Sequence, residues 1–238
     1  MRSMKARTRR AVTIASILAI AVGVALLVAG QGGKRPDIPP TIQQAVVQPQ
    51  GEGQERSIDW GQLPCNVIAW VYVPGTSIDY PVVMGSDQDP GFYLFHDVEG
   101  IYSPWGTPYV ANGCEQGLDS PLVMIYGHHM SDGTMFADLA NYSGRAFAED
   151  HGEIILYTRE RTIHLEPRVV NVINAYAKSV RLDFEDQEEL DAYMADEAAE
   201  GEVTLGGVPE GQKVYAFVTC SYETSNSRTV VYATEVMK

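Results

Sequence analysis

Three hydrophobic patterns succeed one another along the chain. The first is unbroken: residues 11–30 read AVTIASILAIAVGVALLVAG, with only Thr13 and Ser16 polar and no charge. About 20 such residues, rising about 1.5 Å each as a helix, match a hydrocarbon core of about 30 Å. The second is sparse. Gly32, Gly33, Pro36, Pro39, Pro40, Pro49, Gly51 and Gly53 crowd the next stretch, which reads as a flexible tether. The third consists of runs rich in Val, Ile and Tyr, separated by clusters of Pro, Gly, Asn and Asp. Such runs at 66–73, 77–84, 107–111, 122–126, 153–158, 162–177, 213–219 and 228–236 predict strands. Their short spacing, without a regular helix between each pair, predicts a mainly β fold: an antiparallel or mixed barrel of about eight strands. Two helical insertions are expected. One, at 135–142, has Phe136, Leu139 and Tyr142 at three-residue spacing. The other, at 186–199, opens on an Asp186-x-x-Glu189 capping pattern and carries Leu190, Tyr193 and Met194 on one face.

Charge gives the first segment a direction. Arg2, Lys5, Arg7, Arg9 and Arg10 precede it, and such a cluster stays cytoplasmic. The expected organisation is a cytoplasmic basic tail (1–10), a transmembrane signal anchor (11–30), a linker (31–56) and an extracellular folded domain (57–238) on a single-pass membrane protein. A cleaved signal peptide shares the basic start, but the apolar stretch is longer than a usual signal core and no clear A-x-A site follows. Both readings export the domain. From Arg56 onward there are 10 basic against 28 acidic side chains, a balance of −18 within a chain of net charge −14. That surface repels phosphate backbones and excludes nucleic acid as a partner.

Candidate chemistry is concentrated in a few residues. An exported chain meets oxidising conditions, so three cysteines invite a pair and a remainder. Cys65 and Cys114 stand beside Pro64 and Gly113 in loop-like contexts, whereas Cys220 ends the strand KVYAFVTC. One reading buries all three as small hydrophobes; the sharper one pairs Cys65 with Cys114 and leaves Cys220 as a thiol nucleophile. His128 and His129 follow the strand LVMIY and Gly127, and an imidazole near a thiol favours the thiolate. Arg228 opens the strand after Cys220, where a hairpin would bring a guanidinium to face the thiol and stabilise an oxyanion. No C-x-x-C or H-x₃₋₅-H spacing occurs, so neither a metal nor any other cofactor is expected.

At this point the chain resembles a known family, the class B sortases. The run from Ile125-Tyr126-Gly127-His128-His129-Met130 through Asp132-Gly133-Thr134-Met135-Phe136 is similar to the family's catalytic His segment. Val218-Thr219-Cys220-Ser221-Tyr222 with Arg228-Thr229-Val230-Val231 is similar to its Cys and Arg strands, and Trp70 to Val83 to its first strand pair. The resemblance implies an eight-stranded sortase-type barrel, with 186–199 as the long class B helix. It assigns catalysis to His128, Cys220 and Arg228, with His128 chosen over His129 because the family's His directly follows the Gly. It places Leu94 and Thr219 near the bound sorting peptide. Two positions depart from the family pattern: Ala216-Phe217 replace Thr-Leu before the Cys, and Asp89-Pro90 stand for Asp-Asn. Both bear on peptide preference.

The function so implied is a membrane-anchored cysteine transpeptidase that cleaves a sorting motif of secreted surface proteins. It would pass the acyl group to an amine of a peptidoglycan precursor or a pilin lysine. A surface cysteine endopeptidase needs the same three residues, and a non-catalytic surface-binding domain needs none of them.

Overall fold

The computed structural model describes residues 40–49, 55–221 and 226–237. The anchor expected over 11–30 lies outside the described residues. A short helix α1 (Pro40–Gln43) leads to β1 (Val46–Val47), which pairs antiparallel with β2 (Ser57–Ile58). Then come β3 (Val67–Tyr72), β4 (Asp79–Met84), β5 (Tyr109–Val110), β6 (Leu122–Tyr126), helix α2 (Arg145–Asp150), β7 (Ile154–Thr158) and β8 (Thr162–Asn174). Helix α3 (Gln187–Ala199), β9 (Val203–Thr204), β10 (Val214–Ser221) and β11 (Ser227–Glu235) complete the order.

The large sheet runs β11-β10-β6-β5-β4-β3-β7-β8-β9, and β11 also pairs with β8. That last pairing closes β3–β8, β10 and β11 into the expected eight-stranded mixed barrel, with β9 appended to β8. Only β4–β5 and β6–β10 are parallel. The eight predicted strands all form. β5 is shorter than its 107–111 run, because Pro108 has no N–H to give a ladder; its carbonyl still accepts from Val83. β8 shows a period of two, with Ile163, Leu165 and Val169 buried and His164, Glu166 and Arg168 half-buried between them. The register between β8 and β11 slips once, where Tyr232 faces Val169 and Ala233 faces Pro167. A bulge beside a residue that cannot donate is the expected accommodation.

The predicted helices form with two adjustments. The 135–142 segment is a 3₁₀ helix, Ala137–Ser143, with Leu139 and Tyr142 buried. In α3 the Asp186 carboxylate caps the Glu189 amide at 3.0 Å, while Glu189 turns back to the Glu185 amide and to Arg181 in place of the Asp186 amide. The buried stripe is Leu190, Met194 and Glu197. Glu197, only 1% exposed, is matched by Lys178, Asn171 and the Tyr232 hydroxyl, as a buried carboxylate requires.

Two expectations meet a different structure. Within the stretch read as linker, Ile42 and Ala45 are buried among Val67, Trp70 and Val83, so folded chain begins before Ser57. The Cys65–Cys114 disulfide is not formed: all three cysteines are free thiols. Cys65 is exposed, whereas Cys114 sits in the barrel core with its sulfur 3.3 Å from the Met124 amide. Titration of the domain under denaturing, non-reducing conditions should count three thiols; a count of one would restore the disulfide.

Candidate active site

Register sets Cys220 and Arg228 opposite each other, and the turn after β6 brings His128 into the field of the same guanidinium. β10 and β11 pair antiparallel with Cys220 directly opposite Arg228. β6 runs parallel to β10, and its last ladder pair is Tyr126 with Val218. Beyond that pair the chain turns, and His128 follows directly, within the field of the same Arg228 guanidinium that acts on Cys220. Gly127 makes the turn that allows this. A Cβ there would lie 2.5 Å from the ring of Phe136, which is fully buried, so the strand leaves the barrel against an aromatic floor that only glycine clears.

The His128 ring is fixed from the far side. Its Nε2 donates to the Leu94 carbonyl at 2.7 Å. A carbonyl only accepts, so Nε2 carries hydrogen and Nδ1 is left to take and return a proton. Leu94 ends the 3₁₀ turn Phe92–Leu94, and Phe95 packs against the imidazole with ring centroids 5.7 Å apart. Burial pushes the His128 imidazole down; the Leu94 carbonyl opposes this and the Arg228 charge adds to it. Burial pushes the Cys220 thiol up, and Arg228 opposes that shift. The resting pair is therefore a neutral thiol and a neutral imidazole, and the reactive thiolate–imidazolium form is a minor population.

Arg228 is 5% exposed. Its Nη1 donates to the Ser227 carbonyl at 3.1 Å and lies 3.5 Å from Asn226 Oδ1. Its Nη2 is buried and has no hydrogen-bond partner among the described residues, and none of their carboxylates pairs with it. One arm is thus anchored while the other keeps a donor beside the nucleophile, the arrangement an oxyanion needs. Two substitutions separate charge from geometry. Arg228→Met removes the field that depresses both Cys220 and His128, so both limbs of the pH–rate profile should move to higher pH. Arg228→Lys keeps the charge and loses the planar fork, so the limbs should stay while kcat/KM falls about 10²-fold. A full-rate lysine variant would reduce the role to charge alone.

Leu94 and Thr219, the residues expected on the substrate side, both touch the segment around His128. Leu94 is at the site, acting through its carbonyl on His128. Thr219 is 1% exposed and donates its hydroxyl to the Gly127 carbonyl at 3.0 Å, so it points to the face opposite Cys220 and ties β10 to the turn. Sequence reasoning passed over Tyr126 and Tyr109, paired across β6 and β5 with ring centroids 5.6 Å apart. Tyr126 ends β6 two residues before His128, and the Arg228 charge acts on it as well. His129 also touches the nucleophile strand: its Nδ1 lies 2.8 Å from the Cys220 carbonyl.

A closed mixed barrel presenting Cys, His and Arg from adjacent strand ends defines a thiol acyl-transfer enzyme. The Sortase domain model matches residues 71–236. Sortase B of Listeria monocytogenes is 31% identical over 112 residues, 47% of this chain and 44% of that protein, so this match spans under half of the relative. Sortase B of Staphylococcus aureus is 25% identical over 195 residues, 79% of this chain and 75% of that protein. The crystal structure of Clostridium perfringens sortase B superposes with a TM-score of 0.67 and 27% identity, covering 72% of this chain and 94% of that one. The chain belongs to the sortase family, whose members are cysteine transpeptidases, and the relatives it resembles are sortase B proteins.

Proposed function

We propose that the domain works on the outer face of a cell membrane, held there by the 11–30 segment, and joins secreted surface proteins to an amine. Once the Cys220 proton has moved to His128, the thiolate attacks the scissile carbonyl of a sorting-motif peptide, and Arg228 Nη2 donates to the resulting oxyanion. Collapse of that intermediate forms the thioester and breaks the C–N bond, and the leaving amine takes its proton from His128. An incoming amine, from a peptidoglycan precursor or a pilin lysine, then attacks the thioester while His128 takes a proton back. An amide forms and the thiol is restored. The observation that carries this reading is the Cys220–Arg228 ladder pair, with a buried guanidinium donor left over beside the thiol. The basic start and the uncharged stretch after it support the anchor.

The test is product analysis on sorting-motif peptides. With an added amine, the cleaved acyl half should appear as the amide; without it, intact-protein mass should show a thioester on Cys220. Free acid alone at saturating amine would establish the endopeptidase reading. Protease treatment of intact cells should remove the 57–238 domain and spare the anchor.

A further inference from the structure

We infer that His129 is a positioning residue for the nucleophile, its side chain standing in for a strand bond that the fold omits. The inference rests on the cysteine transpeptidase reading above. In a parallel ladder, successive amides two residues apart donate to successive carbonyls two residues apart. The Gly127 amide donates to the Val218 carbonyl at 3.1 Å. One step further, the His129 amide would donate to the Cys220 carbonyl. The chain has turned away by then: His129 instead forms an isolated antiparallel bridge with Met135, and the Phe136 amide closes the loop onto the His128 carbonyl at 2.7 Å. The Cys220 carbonyl is met by the His129 ring, with Nδ1 at 2.8 Å. Because a carbonyl only accepts, Nδ1 carries the hydrogen, and an imidazolium would carry it too. The clamp therefore holds whether or not His129 titrates.

Its place explains why such a clamp matters. Cys220 is the last residue but one of β10, and past Val218 its strand keeps a ladder only on the β11 side. On the other side the strand end is held by two side chains, Thr219 to the Gly127 carbonyl and His129 to the Cys220 carbonyl. The thiol must meet a carbonyl carbon, an imidazole and a guanidinium at once, and small misplacements in such a geometry cost rate steeply. The adjacent histidines thus divide the work: His128 exchanges protons, and His129 fixes the backbone from which the sulfur projects.

Asn and Asp at position 129 provide the test, since their side chains are close in shape but place a donor or an acceptor where Nδ1 stood. Peptide cleavage is measured at the top of each variant's pH–rate profile, on protein with a cooperative melt. His129→Ala should lose about tenfold in kcat/KM, carried by kcat. His129→Asn should recover most of that loss, His129→Asp should fall below alanine, and both pH limbs should stay in place in the asparagine variant. Equal rates for asparagine and aspartate, or an alanine variant at wild-type rate, would overturn the clamp. Loss of the acid limb in His129→Asn would overturn it differently, by making His129 the proton donor. Activity surviving Cys220→Ala would instead sink the underlying reading, so the two failures are distinguishable.

Discussion

Cys220→Ala is expected to abolish cleavage and transfer together, leaving the fold intact. No other described residue offers a thiol at the site: Cys114 is buried in the core and Cys65 belongs to a surface loop. Alanine retains the β-strand backbone and removes only sulfur from a half-buried position, so the melt should change little. The wild-type rate should follow a bell in pH. Burial raises Cys220 and lowers His128, so the singly deprotonated pair persists across the interval between them. The rate climbs as the first proton leaves the pair and falls as the second leaves, and the two apparent values belong to the pair. Thiol alkylation should therefore quicken on the alkaline side, where the thiolate dominates, while peptide cleavage slows. Parallel rise of both with pH would show that no imidazolium is needed.

His128→Ala should lower kcat/KM for a peptide about 10²–10⁴-fold, the usual range for a general acid–base group. An amine is a poor leaving group until it is protonated, whereas the leaving group of an activated ester departs without help. The same variant should consequently lose far less on an ester bearing the same acyl sequence. Measuring both substrates on one preparation checks the role directly. An equal loss on both would mean that His128 serves to orient or activate the thiol and not to protonate the leaving group. Because Nε2 is committed to the Leu94 carbonyl, proton exchange runs through Nδ1. His128→Asn, which presents one amide in place of two ring nitrogens, should be nearly as defective as alanine.

Much of this was legible in the chain, and the failures have physical causes. Strand positions stood out because runs such as NVIAWVYV and RTVVYATEV fit a pleated surface and little else. The Cys–Arg opposition followed from a hairpin between two such runs. Thr219 alternates with Cys220 along β10, so its hydroxyl meets the Gly127 carbonyl while the thiol takes the other face of the strand. The buried start at Ile42 was hidden by flanking prolines and glycines, whose composition reads as tether although Ile42, Val46 and Val47 carry an apolar signal. Glu197 was masked by its acidic surroundings, yet it continues the Leu190–Met194 stripe by one helical step. Backbone partners, such as the Leu94 carbonyl behind His128, have no side-chain signature. Sequence pattern cannot announce them.

The pairing of β8 with β11 has a consequence for how the enzyme comes into being. It joins Asn174 to Ser227 and Leu165 to Glu235, and β6 must find β10 across a comparable gap of chain. Contacts of such separation incur large loop-closure entropy and form late. The contacts that hold Cys220 in place on the β6 side depend on one of these long-range pairings. A partly assembled chain therefore carries the thiol with the Arg228 of its own hairpin but without the imidazole and the backbone clamp that follow β6. The proton-exchanging imidazole reaches the thiol only when β6 docks on β10, so the assembling chain holds its nucleophile without its acid–base partner.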